Sequence, residues 1–473
     1  MPYIFLLLLV IFSSSILSDT YHNINGLIGE RAAGMGGAFS AISDDPSGAF
    51  YNPAGIAFAY DNFVSISANT YKETEKRYQN VFGPGQDYVR KSRGFSPNFI
   101  GTIKSFEKLK VGFSVISPNN EQFDQADFFY LPQSRPLLSS YRIDYTESNE
   151  LYNIGLSAGY PLSNKLAIGG SLFFFNDTSR IQSTQIIEGK DGAFSHISTQ
   201  DRRKTLGLTP ALGLQFMPTD KFALGASVKR HFVTAESRSI TSFNSKSSSS
   251  NYTQTTLSTA SQNSSSIVSN GLIYAGPAAS GKIPEITEIR SGLAWFANKS
   301  FIASFDMIFT DGFSSSLSRS LLEAKTGTLI IKDTEDPLLS REPTLNYAFG
   351  LEFFPIDILA LRFGMYTNFS NNKPIEWGDA AVDLYLTETS RNSISLANNL
   401  IYQPEVLQAK TRLEYINNTG YSLGISWATA KSSITLTYIY EYGKGVSQID
   451  PSQLPQSVVY RNTAFYLIAS SHN

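Results

Sequence analysis

The feature that most constrains this chain is a two-residue alternation that recurs along most of its length, between connections of two very different sizes. Ile154-Gly155-Leu156-Ser157-Ala158-Gly159-Tyr160 shows it, as do Leu206 to Phe216 and Tyr347-Ala348-Phe349-Gly350-Leu351-Glu352-Phe353. In each, one set of alternate residues is large and apolar, and the other is glycine, alanine, serine, threonine or a charge. Successive side chains of a strand point to opposite faces, so these are strands with one greasy and one polar or small face. Strands are expected near 63–71, 97–104, 109–118, 150–160, 165–176, 205–217, 221–233, 287–297, 300–311, 343–354, 358–367, 418–428, 432–442 and 457–469. Tight turns fall at Phe106-Glu107-Lys108, Leu162-Ser163-Asn164, Pro218-Thr219-Asp220, Ala297-Asn298-Lys299, Pro355-Ile356-Asp357 and Thr429-Ala430-Lys431. The other connections are mostly long, roughly 14 to 50 residues. Short turns at one end and long loops at the other are the pattern of an outer-membrane barrel. A soluble sandwich also alternates, but nothing in it segregates loop lengths this way. The fold class expected is all-β: a 14-stranded antiparallel transmembrane β-barrel.

The strand ends sharpen this. Tyr160, Phe216, Trp295, Phe353 and Trp427 each stand just before a tight turn and on the large-apolar face. Aromatics at one height on an outward face are what a membrane interface selects. With 13% aromatic and 16% charged residues, the chain is too aromatic for disorder and too polar for a helical membrane protein. The apolar run Ile4 to Phe12, followed by Ser13-Ser14-Ser15, reads as a secretory signal peptide over 1–18, against the alternative of a buried core segment. Residues 19–62 then precede the barrel, 63–473, whose largest external loop is expected at about 234–286. Ser237 to Asn270, dominated by Ser, Thr, Asn and Gln, reads as a solvated loop or as an adhesive surface region.

The second face of each strand points into the lumen. Lys229, Arg290, Asp306, Glu352 and Arg362 fall on it, with Arg290, Asp306 and Arg362 expected at similar heights and Glu352 lower. Two readings stay open: an ion-pair ladder that braces the barrel, or a cationic seat at Arg362, Arg290 or Lys229 for an anionic head group. Chemistry is not expected. The chain has no cysteine, and His22, His196, His231 and His472 are scattered, with His231 a strand-end residue at the rim. No metal spacing or Ser/His/acid constellation emerges, so neither a cofactor nor an enzyme is predicted. A net charge of −2 offers no general field for nucleic acid.

Between the signal peptide and the first strand lies a glycine- and alanine-rich stretch, Ala32 to Ala59. Gly34-Met35-Gly36-Gly37 fails as a nucleotide loop, since no buried strand precedes it and no βαβ unit surrounds it. Small residues instead suit close backbone packing in a confined space, and Pro46 and Pro53 limit regular structure. Arg31-Ala32-Ala33-Gly34-Met35-Gly36-Gly37-Ala38-Phe39, Asp44-Asp45-Pro46-Ser47 and Tyr51-Asn52-Pro53-Ala54-Gly55 resemble the N-terminal hatch of the FadL/TodX family. These are outer-membrane transporters of long-chain fatty acids and other hydrophobic compounds. Lys110-Val111-Gly112-Phe113-Ser114, Lys221-Phe222-Ala223-Leu224-Gly225 and Leu361-Arg362-Phe363-Gly364 resemble the family's hairpins more loosely.

The resemblance implies a bacterial outer-membrane protein with a hatch, or plug, in the lumen, contributed by Gly34, Met35, Gly36, Gly37, Asp44, Asp45, Pro46, Asn52, Pro53 and Ala54. It implies passive uptake of long-chain fatty acids or other hydrophobic compounds. Loops would capture the ligand, the lumen would bind it, and the hatch would rearrange. Release would be lateral, through a kink in the third strand, for which Gly112 and Pro118 are the candidates. The partners implied are outer-membrane lipid and the hydrophobic ligand. The alternative on the same barrel is a surface protein that acts as a secretion-system partner or adhesin.

Overall fold

The computed structural model describes residues 22–118, 122–130, 138–190, 194–247, 270–275, 285–314, 322–323, 330–331, 340–382, 412–449 and 454–472. The predicted signal peptide, 1–18, lies outside the described residues. One antiparallel sheet closes on itself as fourteen barrel strands. In chain order they are β1 (Phe63–Tyr78), β2 (Tyr88–Phe106), β3 (Leu109–Ile116, resuming as Gln122–Tyr130), β4 (Leu138–Ser163), β5 (Leu166–Gly189), β6 (Phe194–Thr219) and β7 (Phe222–Arg230, resuming as Phe232–Ser247). They continue with β8 (Asn270–Ala275, resuming as Thr287–Asn298), β9 (Phe301–Thr310), β10 (Thr344–Ile356), β11 (Leu359–Asn368), β12 (Tyr415–Ala428), β13 (Ser432–Ser447) and β14 (Gln456–Ser471). The last strand pairs with the first, Val64 opposite Ser471, so the ladder has no free lateral edge at the seam.

Alternation places the large side chains outside. Leu156, Leu172, Leu212, Leu293, Phe305, Leu423 and Ile434 are exposed on the outer surface, as are Tyr160, Phe216, Trp295, Phe353 and Trp427. An apolar wall of this kind is at home only in hydrocarbon, where a closed barrel satisfies every strand's backbone groups. The six predicted turns separate the strands where the sequence put them.

The opposite ends depart from expectation. β4, β5 and β6 run for 26, 24 and 26 residues, whereas a tilted membrane strand needs about 9–11. The paired ladder between β5 and β6 continues from Leu166 opposite Phe216 to Glu188 opposite Phe194, so the long loop expected between them is mostly hairpin. Ser237–Asn270 is likewise partly strand: β7 runs to Ser247, and Asn270 pairs with Asn244. Residues 248–269 lie outside the described part.

β3 is the strand whose pairing changes. Leu109–Ile116 is paired on both sides, to β2 and to β4. Gln122–Tyr130 pairs with β4 alone among the described residues. Gln125 spans the seam to β2 with its side chain, accepting from Lys91 N at 2.9 Å and donating to Val89 O at 2.8 Å. Of the two kink candidates, Gly112 sits inside the paired portion, opposite Ile103 and Ser157. The ladder ends at Ile116, two residues before Pro118, a residue with no N–H to contribute.

Candidate functional site: the lumen and its N-terminal segment

The chain before β1 occupies the barrel interior. It forms a short helix α1 (Glu30–Gly34), a single turn α2 (Gly48–Tyr51) and a 3-10 turn (Gly55–Phe58). Ala32, Ala33, Met35, Ala38, Phe39, Ala54 and Ile56 are wholly buried there. The barrel wall is stripped of side chains to receive them. From β4 round to β12, every strand except β9 presents an inward glycine to this segment: Gly159, Gly169, Gly213, Gly225, Gly292, Gly350, Gly364 and Gly424. A Cβ at Gly350 would lie 2.6 Å from the Cβ of Met35, and one at Gly292 would lie 2.9 Å from Ala41 N. Gly36 approaches the Gly364–Met365 backbone with φ of 64°, a conformation that costs other residues energy.

Between the glycines, inward polar groups take up the segment's backbone. Ser171 donates to Ala49 O at 2.8 Å, Gln215 to Ala41 O at 2.8 Å, Ser227 to Tyr51 O at 2.6 Å and Ser422 to Gly34 O at 2.9 Å. Asp306 Oδ2 accepts from the backbone N–H groups of Phe39 (3.1 Å) and Ser40 (2.9 Å) and from Ser40 Oγ (2.6 Å). Asn52 does both jobs. Its Oδ1 accepts from Ala54 N at 3.1 Å, an Asx turn that fits Pro53 between them, and its Nδ2 donates to Ser40 O and Leu214 O.

A charged chain lies on the side of the turns. Arg31 joins Asp44 (2.7 Å) to Glu352 (2.6 Å), and Arg362 Nε donates to Glu352 at 2.7 Å. Glu30 accepts from Ser426, Ser433, Thr435 and Ser470 at 2.7–2.9 Å, tying α1 to β12, β13 and β14. Burial alone would raise the Glu30 carboxyl, but Arg362 and the hydroxyls of Ser433, Ser470 and Thr435 outweigh it and hold it below the usual range.

On the other side of the segment is a cavity of about 90 Å³. Its apolar wall includes Ile24, Leu27, Phe50, Leu151, Phe173 and Ile308. Its polar end is Lys229, Glu288, Arg290, Thr209 and His231. Lys229 Nζ lies 2.9 Å from Glu288 Oε1 and 3.8 Å from the centre of the Phe50 ring, and Arg290 Nε donates to the same Glu288 oxygen at 2.5 Å. Two cations thus share one carboxylate. His231 contacts Thr209 Oγ1 at 2.8 Å and lines the cavity, so it is no mere rim residue.

The structure therefore divides the five charged lumen residues read from the sequence. Lys229 and Arg290 line the cavity. Asp306 holds the backbone of Phe39 and Ser40, while Glu352 and Arg362 belong to the charged chain with Arg31 and do not line it. Their heights also differ. Asp306 faces Gly292, one inward position turnward of Arg290, and Arg362 pairs with Glu352, which faces Ile302, lower again. Counting residues from each turn misjudged this because the register shifts beside the turns, between Phe296 and Asn298 and between Phe353 and Ile356. Glu288 was missed, although its two-residue spacing from Arg290 puts it on the same face. Glu30 carried no such signal, since it lies outside the alternating strands.

No protein-family profile matches the sequence, and no curated protein sequence matches it. The fold has many solved counterparts. A Pseudomonas aeruginosa FadL homologue superposes with a TM-score of 0.56 at 11% identity, covering 97% of this chain and 99% of the other. The TodX monoaromatic hydrocarbon channel, as its deltaS2 mutant, gives 0.57 at 13% identity over 94% and 99%. The Ralstonia pickettii toluene transporter TbuX gives 0.52 at 12% over 95% and 99%. The last two are described as a hydrocarbon channel and a toluene transporter. With its closed strands, apolar exterior and near-complete coverage, this chain has the fold of the FadL/TodX-type channels of the bacterial outer membrane.

Proposed function

We propose that the protein carries hydrophobic or amphiphilic molecules, long-chain fatty acids among them, passively across the outer membrane. The observation that carries this reading is the lumen cavity, with its apolar wall and Lys229 and Arg290 at one end. An incoming carboxylate can pair with one of these two cations while Glu288 keeps the other, so that two carboxylates face two cations and no buried charge is left unpaired. Residues 22–62 act as a hatch that must shift for passage, and the change of pairing in β3 near Pro118 offers a lateral way into lipid. Such a route spares a greasy ligand any transit through water.

Proteoliposomes containing the protein are expected to take up labelled oleate faster than empty liposomes, with no gain for a small sugar. Lys229→Ala together with Arg290→Ala should weaken oleate uptake about tenfold, the worth of one charge-assisted contact, while an uncharged hydrophobe is little affected. Oleate uptake equal to that of empty liposomes would sink the reading. One observation favours a surface-interaction role instead: the paired β4–β6 sheet continues well beyond membrane length. Co-purification of a surface partner with no oleate uptake would select it.

A further inference from the structure

On the outward face of β5 and β6 the apolar wall ends abruptly in cations. The ladder between these strands keeps one register from Leu166 opposite Phe216 to Glu188 opposite Phe194, so height rises evenly along it. On β6, Leu214, Leu212, Leu208 and Leu206 face outward, and the next two outward residues are Lys204 and Arg202. At about 2.5 Å of height per residue of a tilted strand, Lys204 stands about 30 Å above Phe216 and Arg202 about 35 Å. The apolar band of such barrels is about 25 Å tall, which puts both cations in the outer head-group layer.

Tyr152, Asn176 and Leu206 stand side by side on β4, β5 and β6. The next outward row is Glu150, Thr178 and Lys204, and the one above it is Ser148, Arg180 and Arg202. Arg180 and Arg202 are thus directly opposite each other, with Lys204 two residues along the same face, and all three are exposed. Like charges placed directly opposite destabilise a ladder. Among the described residues neither arginine nor Lys204 has an ion-pair partner. Glu150, the acid of these rows, lies diagonal to Arg180 and out of ion-pair reach, and Asp177, on the inner face, pairs with Arg203 at 3.4 Å. The outward cations of β2 are different: Arg93 meets Glu73 at 3.1 Å, and Lys91 meets Glu75 at 3.1 Å. Unmatched positive charge is therefore a feature of the β5–β6 patch and not of every strand at the outer end.

We propose that Arg180, Arg202 and Lys204 bind the phosphate of a phosphorylated glycolipid in the outer leaflet, with its acyl chains on Leu206, Leu208 and Phe174 below. A phosphate seated between two opposed guanidinium groups replaces their repulsion with charge-assisted hydrogen bonds, which the planar fork of arginine can make in pairs. Continuity with the lipid-facing wall favours a lipid over a soluble anion. A phosphate tethered to acyl chains arrives at this height and gains the apolar contact as well. The site concerns how the barrel is seated in its membrane and is independent of what the lumen carries.

The test is binding of acyl-radiolabelled lipid A to the full chain immobilised in detergent, with a chelator present so that no divalent cation joins Glu150 to the lipid. Diphosphoryl lipid A and its dephosphorylated form, with the same acyl chains, are the probes. The unaltered protein should bind the phosphorylated form about tenfold more tightly, the worth of one charge-assisted contact. Arg180→Gln together with Arg202→Gln should abolish that preference, and Arg202→Lys should keep part of it. Arg93→Gln, which removes a cation already paired with Glu73, should leave it unchanged. In lipid-free detergent Arg202→Gln should raise the unfolding temperature, because the opposed charge is gone; a purely structural arginine would lower it. Unheated gel mobility shows that each variant is folded. Equal binding of the two lipids by the unaltered protein overturns the proposal, as does a preference that survives the double substitution. Displacement of the phosphorylated lipid by inorganic phosphate at about 1 mM would mark a site for the free anion and overturn the assignment to lipid.

Discussion

Asp45 is the residue at which burial and charge disagree most plainly. It is 4% exposed within the lumen segment, and its Oδ1 accepts from Ser47 N at 2.7 Å. Burial raises its pKa from the ordinary 3.8 to about 6, with Asp44 adding to the rise and Ser47 opposing it. A folded-state pKa above the unfolded one stabilises the protonated fold. The contribution is therefore complete below about pH 4 and is lost as pH rises through 6, a difference of roughly 3 kcal/mol for a shift of about two units. Asp45→Asn keeps an acceptor for Ser47 but cannot ionise. Hydrogen–deuterium exchange of residues 44–52, corrected for intrinsic rates, should show stronger protection in the variant at pH 7.5 and a smaller change between pH 4.5 and 7.5. An unaltered pH profile would refute this account. At this scale the sequence disclosed residue types and faces but few partners. It placed Arg362 and Glu352 inside the barrel, yet their tie to Arg31 joins positions some 320 residues apart in the chain, which no local pattern encodes.

Among the elements, the strands divide into two kinds of paired ladder. Their membrane portions alternate sharply between large and small residues, because lipid meets one face and the lumen segment the other. That contrast is why all fourteen were legible. Beyond the membrane both faces meet water or polar neighbours, and residues such as Gln182, Ser183 and Thr184 are half-buried on either side. The period-2 signal fades there while the backbone ladder continues, so these extensions read as loops. The inward glycines have the opposite history. They were visible as the small face of each strand, but that their role is to admit backbone emerges only from their contacts. Gly169→Leu tests it: its Cβ would collide with the Pro53 carbonyl. The lumen segment should lose hydrogen-exchange protection around Asn52 while the barrel keeps its heat-modifiable gel mobility. If protection at Asn52 is unchanged, the glycines are not what seats the segment.

For the whole molecule, barrel and lumen segment are separate problems in stability. The ladder closes through β1 and β14 without the N-terminal residues, so a chain lacking Ala32–Ala59 should still insert as a barrel. Planar-bilayer recordings are expected to show an open, conducting pore for that deletion and a nearly closed one for the full chain. Equal conductance would mean that the segment does not plug the lumen. By itself, the sequence determined the barrel, its strand number, its turn end and its outward face. These follow from periodicity and loop length, which are properties of neighbouring residues in a chain bounded by lipid. It also marked Ala32 to Ala59 as a compact irregular piece. Only the tertiary structure decided what fills the barrel: which cations border the cavity, and which are consumed in holding Glu30 and Glu352. Those outcomes depend on strand tilt and register, through which side chains far apart in sequence are brought to one height inside the wall.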